Sequence, residues 1–316
     1  MNGLSLTGGE GCSAGGEAIR ASAVGPRFEL PDLPRSPAEH RSHALLEASK
    51  SRMRGEGPPA AAPSAVWSAA GLRCLDGIQL GPSEVLYAFV WLDEQPSARD
   101  EAVLDDEERA RSRRFLRPVD RRRFVVCHAS MRVVLARCLD IRPEAVRYER
   151  GDAGKPRLAP GLGPLELSLS RSGAVGLLAV TRDRPVGVDV EHVREFPDAL
   201  MIAEQHFATA EADALRSLPP EVRRAAFFRC WTHKEAVIKA TGEGLSRPLD
   251  SFELDMSDSM ATLKRFDGLP GDRSGWSLRE LRSPPGFAAA GAVGSAPGAP
   301  PSRWRALERA HATRSG

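Results

Sequence analysis

The sequence of 316 residues lacks an excess of charge of either sign. Its 44 Lys and Arg residues balance 42 Asp and Glu residues, which leaves a formal net charge of +2. A balanced chain has no overall field that would draw it to nucleic acid or to an anionic membrane. We therefore expect any basic site to be local.

Cysteine pairs and long apolar runs are also absent. The five cysteines form no CxxC motif and are odd in number, which disfavours a disulfide framework or a structural zinc site and favours a reducing compartment. The sequence shows neither a signal peptide nor the roughly 18 apolar residues of a membrane span. We expect a soluble cytoplasmic protein that does not bind a membrane.

Three common catalytic signatures are missing as well. The sequence has no GxSxG motif, no Walker A loop and no GxGxxG motif between a strand and a helix. The hydrolase, P-loop and dinucleotide-binding classes therefore receive no support.

Composition and patterning divide the chain into four expected segments. A Gly-, Ser-, Pro- and Ala-rich extension, expected to be disordered, covers 1–80, and a similar disordered tail covers 297–316. Between them, helical patterns alternate with short β-prone runs in an N-terminal lobe (81–185) and a C-terminal lobe (186–296). The strand candidates include 84–92, 165–170, 174–181 and 186–191, and a long helical stretch at 105–139 is expected to break near Pro118. The pattern predicts an α+β fold made of two similar lobes, although no residue-level repeat is visible.

The run Gly187-Val188-Asp189-Val190-Glu191 carries the first chemical signal. Alternate residues of a strand share a face, so Asp189 and Glu191 point the same way. Two adjacent carboxylates suit a hard cation such as Mg²⁺. The alternative is an edge strand whose acidic face is merely wet.

A long helix, expected from about 221 to 241, carries the second signal. One stripe of this helix contains Phe227, Trp231, Glu235 and Ile238. An ionised carboxylate on an apolar stripe needs a metal or a lysine as partner. The alternative is a surface helix with a Glu235–Lys239 pair, ended by Gly242.

Lysine is scarce, because only five of the 44 basic residues are Lys. Three of them, Lys155, Lys234 and Lys239, lie in or near segments that look chemical, and compact ammonium groups suit a metal and a phosphate chain. Lys155 read alone also fits a solvated turn residue. The hydroxyl-rich strand end Ser168–Gly173 suits phosphate binding or an ordinary strand-to-turn transition.

An arginine-rich stretch runs from Arg109 to Arg123. It fits a solvated helix face, partly neutralised by nearby acids such as Asp105 and Glu108, or a surface for phosphates or an acidic partner. Nucleic acid is a weaker candidate because the stretch has no interleaved aromatic platform. His206 and His233 lack metal-pair spacing, so we expect structural or surface roles for them.

The order of these motifs resembles the 4′-phosphopantetheinyl transferase superfamily, in its longer two-lobed, surfactin-synthetase-activating type. The likeness covers about residues 84–295 and is carried by four segments: Gly154-Lys155-Pro156, Leu167–Gly173, GVDVE at 187–191 and WTHKEAVIKATGEGL at 231–245. It implies a pseudo-twofold α+β fold with coenzyme A bound between the lobes. It also implies Mg²⁺-dependent transfer of the phosphopantetheine arm to a serine of an apo acyl or peptidyl carrier protein, with release of 3′,5′-ADP.

The resemblance assigns roles to particular residues. The expected metal ligands are Asp189, Glu191 and Glu235, and Mn²⁺ can replace Mg²⁺. The expected catalytic residues are Glu235, Lys239 and Asp189. The expected contacts to coenzyme A are Arg111, Arg123, Lys155, Ser170, Arg171, Lys234 and Lys239. Carrier protein and coenzyme A are the expected partners, without nucleic acid, and the two-lobed chain is expected to act as a monomer.

One residue departs from the family pattern. Arg171 stands between Ser170 and Ser172, where the family usually has His. An arginine can donate to a phosphate but cannot shuttle a proton near neutral pH. The rival hypothesis is a non-catalytic binder that uses the Arg109–Arg123 surface to hold an acidic protein or nucleic acid.

Overall fold

The computed structural model describes residues 66–75, 77–150, 155–256, 261–266, 275–295 and 301–307. Residues 1–65 and Gly154 lie outside these ranges. The helices are α1 (Ala69–Arg73), α2 (Ala98–Ala102), α3 (Asp106–Ser112), α4 (Pro118–Leu139), α5 (Ala199–His206), α6 (Thr209–Ser217) and α7 (Pro220–Thr241). The strands are β1 (Glu84–Trp91), β2 (Tyr148–Arg150), β3 (Pro156–Leu158), β4 (Leu165–Ser172), β5 (Val175–Arg182), β6 (Val186–His192), β7 (Phe252–Asp255), β8 (Thr262–Phe266), β9 (Trp276–Glu280), β10 (Phe287–Gly294) and β11 (Arg303–Ala306).

The strands form two larger sheets and two hairpins. One sheet has the order β11-β1-β5-β4 and the other the order β6-β10-β9, while β2 pairs with β3 and β7 with β8. Neighbours in both larger sheets are antiparallel, except that β11 runs parallel to β1. The fold is therefore mixed α/β.

The core explains why β1 is a continuous apolar run. Leu86, Ala88 and Val90 pack in a cluster with α4, whereas Val85 and Phe89 pack in a second cluster that includes residues of β6 and β10. Both faces of β1 are thus buried, which removes the usual alternation of polar and apolar residues. A third cluster surrounds α7.

The two long helices begin and end at residues that the sequence marks. α4 and α7 each begin at a proline, whose missing N–H costs nothing in a first helical turn. α7 ends at Thr241 and is capped by Gly242, whose φ is 76°. The expected break near Pro118 is found, because α3 ends at Ser112 and α4 begins at Pro118. The strand candidates at 84–92, 165–170, 174–181 and 186–191 are each found within two residues of their expected bounds.

The two expected disordered segments are partly ordered. Val66, Trp67 and Leu72 are buried, and 303–306 form β11. The expectation therefore does not hold for the described residues up to 80, nor for 301–307. Composition misses such segments because a few apolar side chains, here Trp67 and Trp304, find complementary surfaces elsewhere in the fold. Residues 1–65 and 308–316 lie outside the described part.

Within the described residues, no helix combines the length and the apolarity that crossing a bilayer requires.

Candidate functional site

The candidate site lies where the edges of the two larger sheets meet. β4 ends the four-stranded sheet and β6 ends the three-stranded sheet. Three serines of β4, two residues apart, accept hydrogen bonds from backbone N–H groups of β6. These are Ser168 from Val188 (3.0 Å), Ser170 from Val190 (3.4 Å) and Ser172 from His192 (3.1 Å).

The carboxylates of Asp189 and Glu191 lie at this junction. The valines of β6 at 186, 188 and 190 join the core cluster, so the acids point to the opposite face, as the alternation predicts. Asp189 is 3% exposed and Glu191 is 9% exposed. The alternative of a wet acidic face is therefore wrong.

Helix α7 covers this acidic face because Gly187 has no side chain. A Cβ at Gly187 would lie 2.0 Å from Ala236 O and 2.3 Å from Ala240 N. The close approach brings Lys239 to the strand. Its Nζ donates to Asp189 Oδ1 at 2.6 Å and to Ser170 Oγ at 2.8 Å.

Ser170 completes a small network with this pair. Its hydroxyl donates to Asp189 Oδ1 at 2.8 Å while it accepts from Lys239. Ser172 similarly donates to Glu191 Oε2 at 2.7 Å. Both acids of β6 thus accept hydrogen bonds from serines of β4, which belongs to the other sheet.

The electrostatics of the site oppose ionisation of all its carboxyl groups at once. Burial, with a smaller contribution from the Glu235 charge, raises the pKa of Asp189, although Lys239 opposes the shift. Burial and the Asp189 charge raise the pKa of Glu191 to about 8. Glu235 is itself 6% exposed and stands on the buried stripe of α7. A single ammonium group does not compensate three buried carboxylates.

The carboxylates of this cluster are the candidate metal ligands. Within the described ranges, no group of three His, Cys, Asp or Glu side chains is arranged to hold a metal ion, so the predicted ligand set stays a prediction. The chemistry of the donors nevertheless fits Mg²⁺, because all are carboxylate oxygens. Asp189 Oδ2 is buried and accepts no hydrogen bond in this part of the chain, which leaves it available to a cation.

Lys155 lies next to this cluster. Its Nζ donates to Val186 O at 2.9 Å and lies 3.8 Å from Glu166 Oε2. Lys155 and Lys239 both line a cavity of about 220 Å³, together with Ser168 and Gly242. The reading of Lys155 as a solvated turn residue is wrong, since its ammonium is held against β6.

Arg111 and Arg171 lie together around one aromatic ring. The guanidinium of Arg111 is 5.5 Å from the ring centre of Phe124, and that of Arg171 is 5.7 Å from the rings of Phe115 and Phe124. His128 stacks on Phe124 at 4.0 Å. Arg171 follows Ser170 directly in β4, and alternation along a strand turns their side chains to opposite faces. The contacts of Arg111 and Arg171 to coenzyme A therefore stay predictions.

Arg123 has a different environment from the one expected. Its Nε and Nη2 donate to the two carboxylate oxygens of Asp93, at 2.5 and 2.8 Å, and it is buried. This ion pair commits two of its donors, so its contact to coenzyme A stays a prediction. The nearby acids also differ from expectation, because Asp105 and Glu108 bind the buried Arg132 rather than simply neutralising the exposed arginines.

The assignment of Lys234 to the coenzyme A site is wrong. Its side chain is fully buried, and Nζ is bonded to Leu249 O (2.8 Å), Phe252 O (2.9 Å) and Glu211 Oε2 (2.7 Å). An ammonium group has three N–H donors, and all are used. His233 is also structural, since it is buried and bonded to Arg229 O at 2.8 Å.

The sequence analysis missed the separate role of Ser172 and the linking role of Ser168. Their spacing was visible, because Ser168, Ser170 and Ser172 alternate along one strand. Because alternate residues of a strand share a face, the three serines occupy one face of the second half of β4. The pattern could have marked an edge that is joined by side chains.

Comparison with known proteins places the chain in a family. Residues 185–290, which contain β6 and α7, match the model of the 4′-phosphopantetheinyl transferase superfamily. The chain is 35% identical over 182 residues to the 4′-phosphopantetheinyl transferase HetI of Nostoc, covering 57% of this chain and 74% of HetI.

Two relatives from Bacillus subtilis agree. A 4′-phosphopantetheinyl transferase is 31% identical over 173 residues, covering 54% of this chain and 75% of that protein. The 4′-phosphopantetheinyl transferase Sfp is 28% identical over 197 residues, covering 62% of this chain and 84% of Sfp.

These matches favour the enzyme hypothesis over the non-catalytic binder. The chain belongs to the 4′-phosphopantetheinyl transferase superfamily and is an enzyme of this type.

Proposed function

We propose that this enzyme transfers the 4′-phosphopantetheine arm of coenzyme A to a serine of an apo acyl or peptidyl carrier protein and depends on Mg²⁺. The serine oxygen forms a bond to the phosphorus that bears the pantetheine arm. The bond from this phosphorus to the oxygen of the leaving group breaks, and 3′,5′-ADP departs with the electron pair. The serine proton passes to Glu235, which acts as the base.

The observation that carries the proposal is the cluster of Lys239, Ser170 and Asp189. It places the Lys239 ammonium 2.6 Å from the buried carboxylate of Asp189, and these two residues lie inside the segment that matches the family model. Negative charge grows on phosphoryl oxygens during transfer. A cation at that place stabilises the charge more in the transition state than in the bound substrate.

The other residues receive supporting roles. Asp189, Glu191 and Glu235 would hold the metal, and Lys239 would turn from Asp189 toward the phosphate chain. A bound Mg²⁺ would supply positive charge to the pyrophosphate oxygens. Lys155, Ser170, Arg111 and Arg171 would contact coenzyme A, with Arg123 at its nucleotide end.

Two features support a pseudo-twofold arrangement of lobes at 81–185 and 186–296, with coenzyme A between them. α4 and α7 are both 22 residues long and begin at proline. Each packs in its own apolar cluster.

We propose that the enzyme acts as a monomer, because a single chain contains both lobes. Cys74, Cys127, Cys138 and Cys230 are free thiols, which supports a cytoplasmic location.

The proposal is tested with a panel of apo carriers from fatty-acid, polyketide and peptide synthesis. Each is incubated with coenzyme A, Mg²⁺ and the enzyme, and mass spectrometry measures the added arm. We expect addition to at least one carrier, and failure across the whole panel would contradict the proposal.

A variant tests the metal assignment separately. Asp189→Ala should lower transfer by orders of magnitude while the far-UV circular dichroism spectrum is unchanged. Calorimetry should show coenzyme A binding that Mg²⁺ strengthens in the parent enzyme but not in this variant. Full activity of Asp189→Ala would show that the metal is held elsewhere.

A further inference from the structure

The three serines of β4 provide hydrogen-bond acceptors for backbone N–H groups of β6 where the edges of the two sheets meet. An edge strand presents N–H groups that must find partners when they are buried. The hydroxyls of Ser168, Ser170 and Ser172 accept from consecutive outward N–H groups of β6, at 3.0 to 3.4 Å. All three serines are buried, so these hydroxyls join the two sheets.

Accepting an N–H also determines where each hydroxyl proton points. A serine hydroxyl has one proton and two lone pairs, and the N–H of β6 occupies one lone pair. The proton of Ser172 is directed to Glu191 Oε2 at 2.7 Å, and that of Ser170 to Asp189 Oδ1 at 2.8 Å. The backbone of β6 thus orients the hydroxyl, and the hydroxyl in turn fixes one oxygen of a carboxylate on the same strand.

We propose that Ser172 is a positioning residue that holds the Glu191 carboxylate in the orientation required for metal binding. This inference rests on the proposed function, in which Glu191 is a metal ligand. Glutamate has three rotatable side-chain bonds. Without such support the side chain would occupy several rotamers, and it would lose more conformational entropy when it binds a metal. Groups that orient metal ligands are worth about 10- to 100-fold in metal affinity.

Ser168 provides a matched control. It accepts the N–H of Val188 at 3.0 Å, just as Ser172 accepts that of His192, but the described hydrogen bonds of its hydroxyl include none to a carboxylate. Ser168→Ala and Ser172→Ala therefore each remove one link between the sheets, and only the second releases a proposed metal ligand. Ser170 is unsuitable, because it also contacts Lys239.

The test measures binding of Mn²⁺ to the full chain in the presence of coenzyme A, by electron paramagnetic resonance of the free ion. Ser172→Ala should weaken Mn²⁺ binding by about 10-fold or more, and Ser168→Ala should weaken it far less. Ser172→Thr, which keeps a hydroxyl group, should bind Mn²⁺ with nearly the affinity of the parent. In transfer assays, Ser172→Ala should raise the Mg²⁺ concentration for half-maximal activity, while kcat at saturating Mg²⁺ is largely kept.

Each other outcome is informative. Equal Mn²⁺ affinity in Ser168→Ala and Ser172→Ala would overturn the proposal and leave Ser172 only a link between sheets. If Ser172→Ala does not fold, Ser172→Cys carries the test, because a thiol keeps the shape but donates weakly; parent-like affinity in Ser172→Cys would also overturn it. If Asp189→Ala binds Mn²⁺ as the parent does, the metal site of the proposed function is wrong, and the inference falls with it.

Discussion

Lys234 and Lys239 show how differently two residues of one type can be used on one helix. Lys234 is fully buried, and its three donors are satisfied by Glu211 and two backbone carbonyls. Lys239 is partly exposed and lies on Asp189 and Ser170. The first ammonium group is part of the folded core, and the second is available for chemistry.

We predict opposite effects for the two lysine-to-alanine variants. Lys234→Ala leaves the buried Glu211 carboxylate without its ion-pair partner, and should lower the free energy of unfolding by about 3–5 kcal/mol. Lys239→Ala should cost less stability, because its ammonium group is partly exposed and Asp189 keeps a hydrogen bond from Ser170. It should lower kcat by about 100-fold, as expected when a group that stabilises transition-state charge is removed. Urea denaturation and the carrier-modification assay measure the two quantities, and similar profiles for the two variants would contradict this division.

His233 makes stability depend on pH. Burial lowers the pKa of His233 below its ordinary value of 6.5. The ring is bonded to Arg229 O through Nδ1, and Nε2 has no hydrogen-bond partner within the described residues. Protonation would therefore place a charged N–H where nothing accepts it.

The direction of the pH effect follows from this lowered pKa. As pH falls below about 6.5, the unfolded chain takes up the proton first, so the free energy of unfolding decreases. Burial also lowers the pKa of His206 and His128, which adds to the trend. The raised pKa of Glu191 acts in the opposite direction over this range, so the histidine contribution is measured as a difference. Between pH 7.5 and 5.5, urea denaturation should show a less favourable change in the free energy of unfolding for the parent than for His233→Gln. An unchanged slope in that variant would exclude His233 as a contributor.

At the scale of elements, the contact between α7 and β6 assembles the site. Gly187 lets the helix backbone approach the strand, and this approach places Lys239 within hydrogen-bond distance of Asp189. The sequence predicted both elements and the face of each acid. It did not predict how closely they pack.

Gly187→Ala should therefore damage both folding and catalysis. Its Cβ would overlap backbone atoms of Ala236 and Ala240, which cannot move without shifting the helix. We expect a loss of about 1–3 kcal/mol in the free energy of unfolding and slower transfer, because the helix carries Lys239 away from Asp189. Gly77→Ala is the control, since its Cβ meets nothing within 4 Å. Parent-like stability of Gly187→Ala would show that the contact is looser.

At the scale of the whole described fold, β11 links the two larger sheets. It pairs with β1 of the first sheet, while its Trp304 packs against Gly291 of β10 in the second. A Cβ at Gly291 would lie 2.2 Å from Trp304 Cη2. The C-terminal strand therefore contributes to the packing of both sheets.

A double-mutant cycle tests this link. Gly291→Ala should lower the free energy of unfolding by about 1–3 kcal/mol in the parent, because the methyl group overlaps the indole. In the Trp304→Ala background the same change should cost clearly less, with a coupling energy of about 0.5–3 kcal/mol. Strictly additive effects in urea denaturation would show that Trp304 does not press on Gly291.

The sequence by itself determined the local features of this protein. Alternation placed Asp189 and Glu191 on one face, helical spacing put Glu235 on a buried stripe, and the ordered motifs indicated the family that the comparisons confirm. These features depend on neighbours within one strand or one turn of helix, so periodicity reveals them. The bounds of α4, α7 and β6 followed from the same signals.

Only the tertiary structure decided which lysine serves the site and what supports each carboxylate. The second half of α7 is buried on nearly every side, so helical period does not distinguish the face of Lys234 from that of Lys239. Ser172 and Glu191 are 19 residues apart, and Arg123 and Asp93 are 30 apart. Such pairs depend on how the sheets and helices pack in space, and no local pattern encodes that distance.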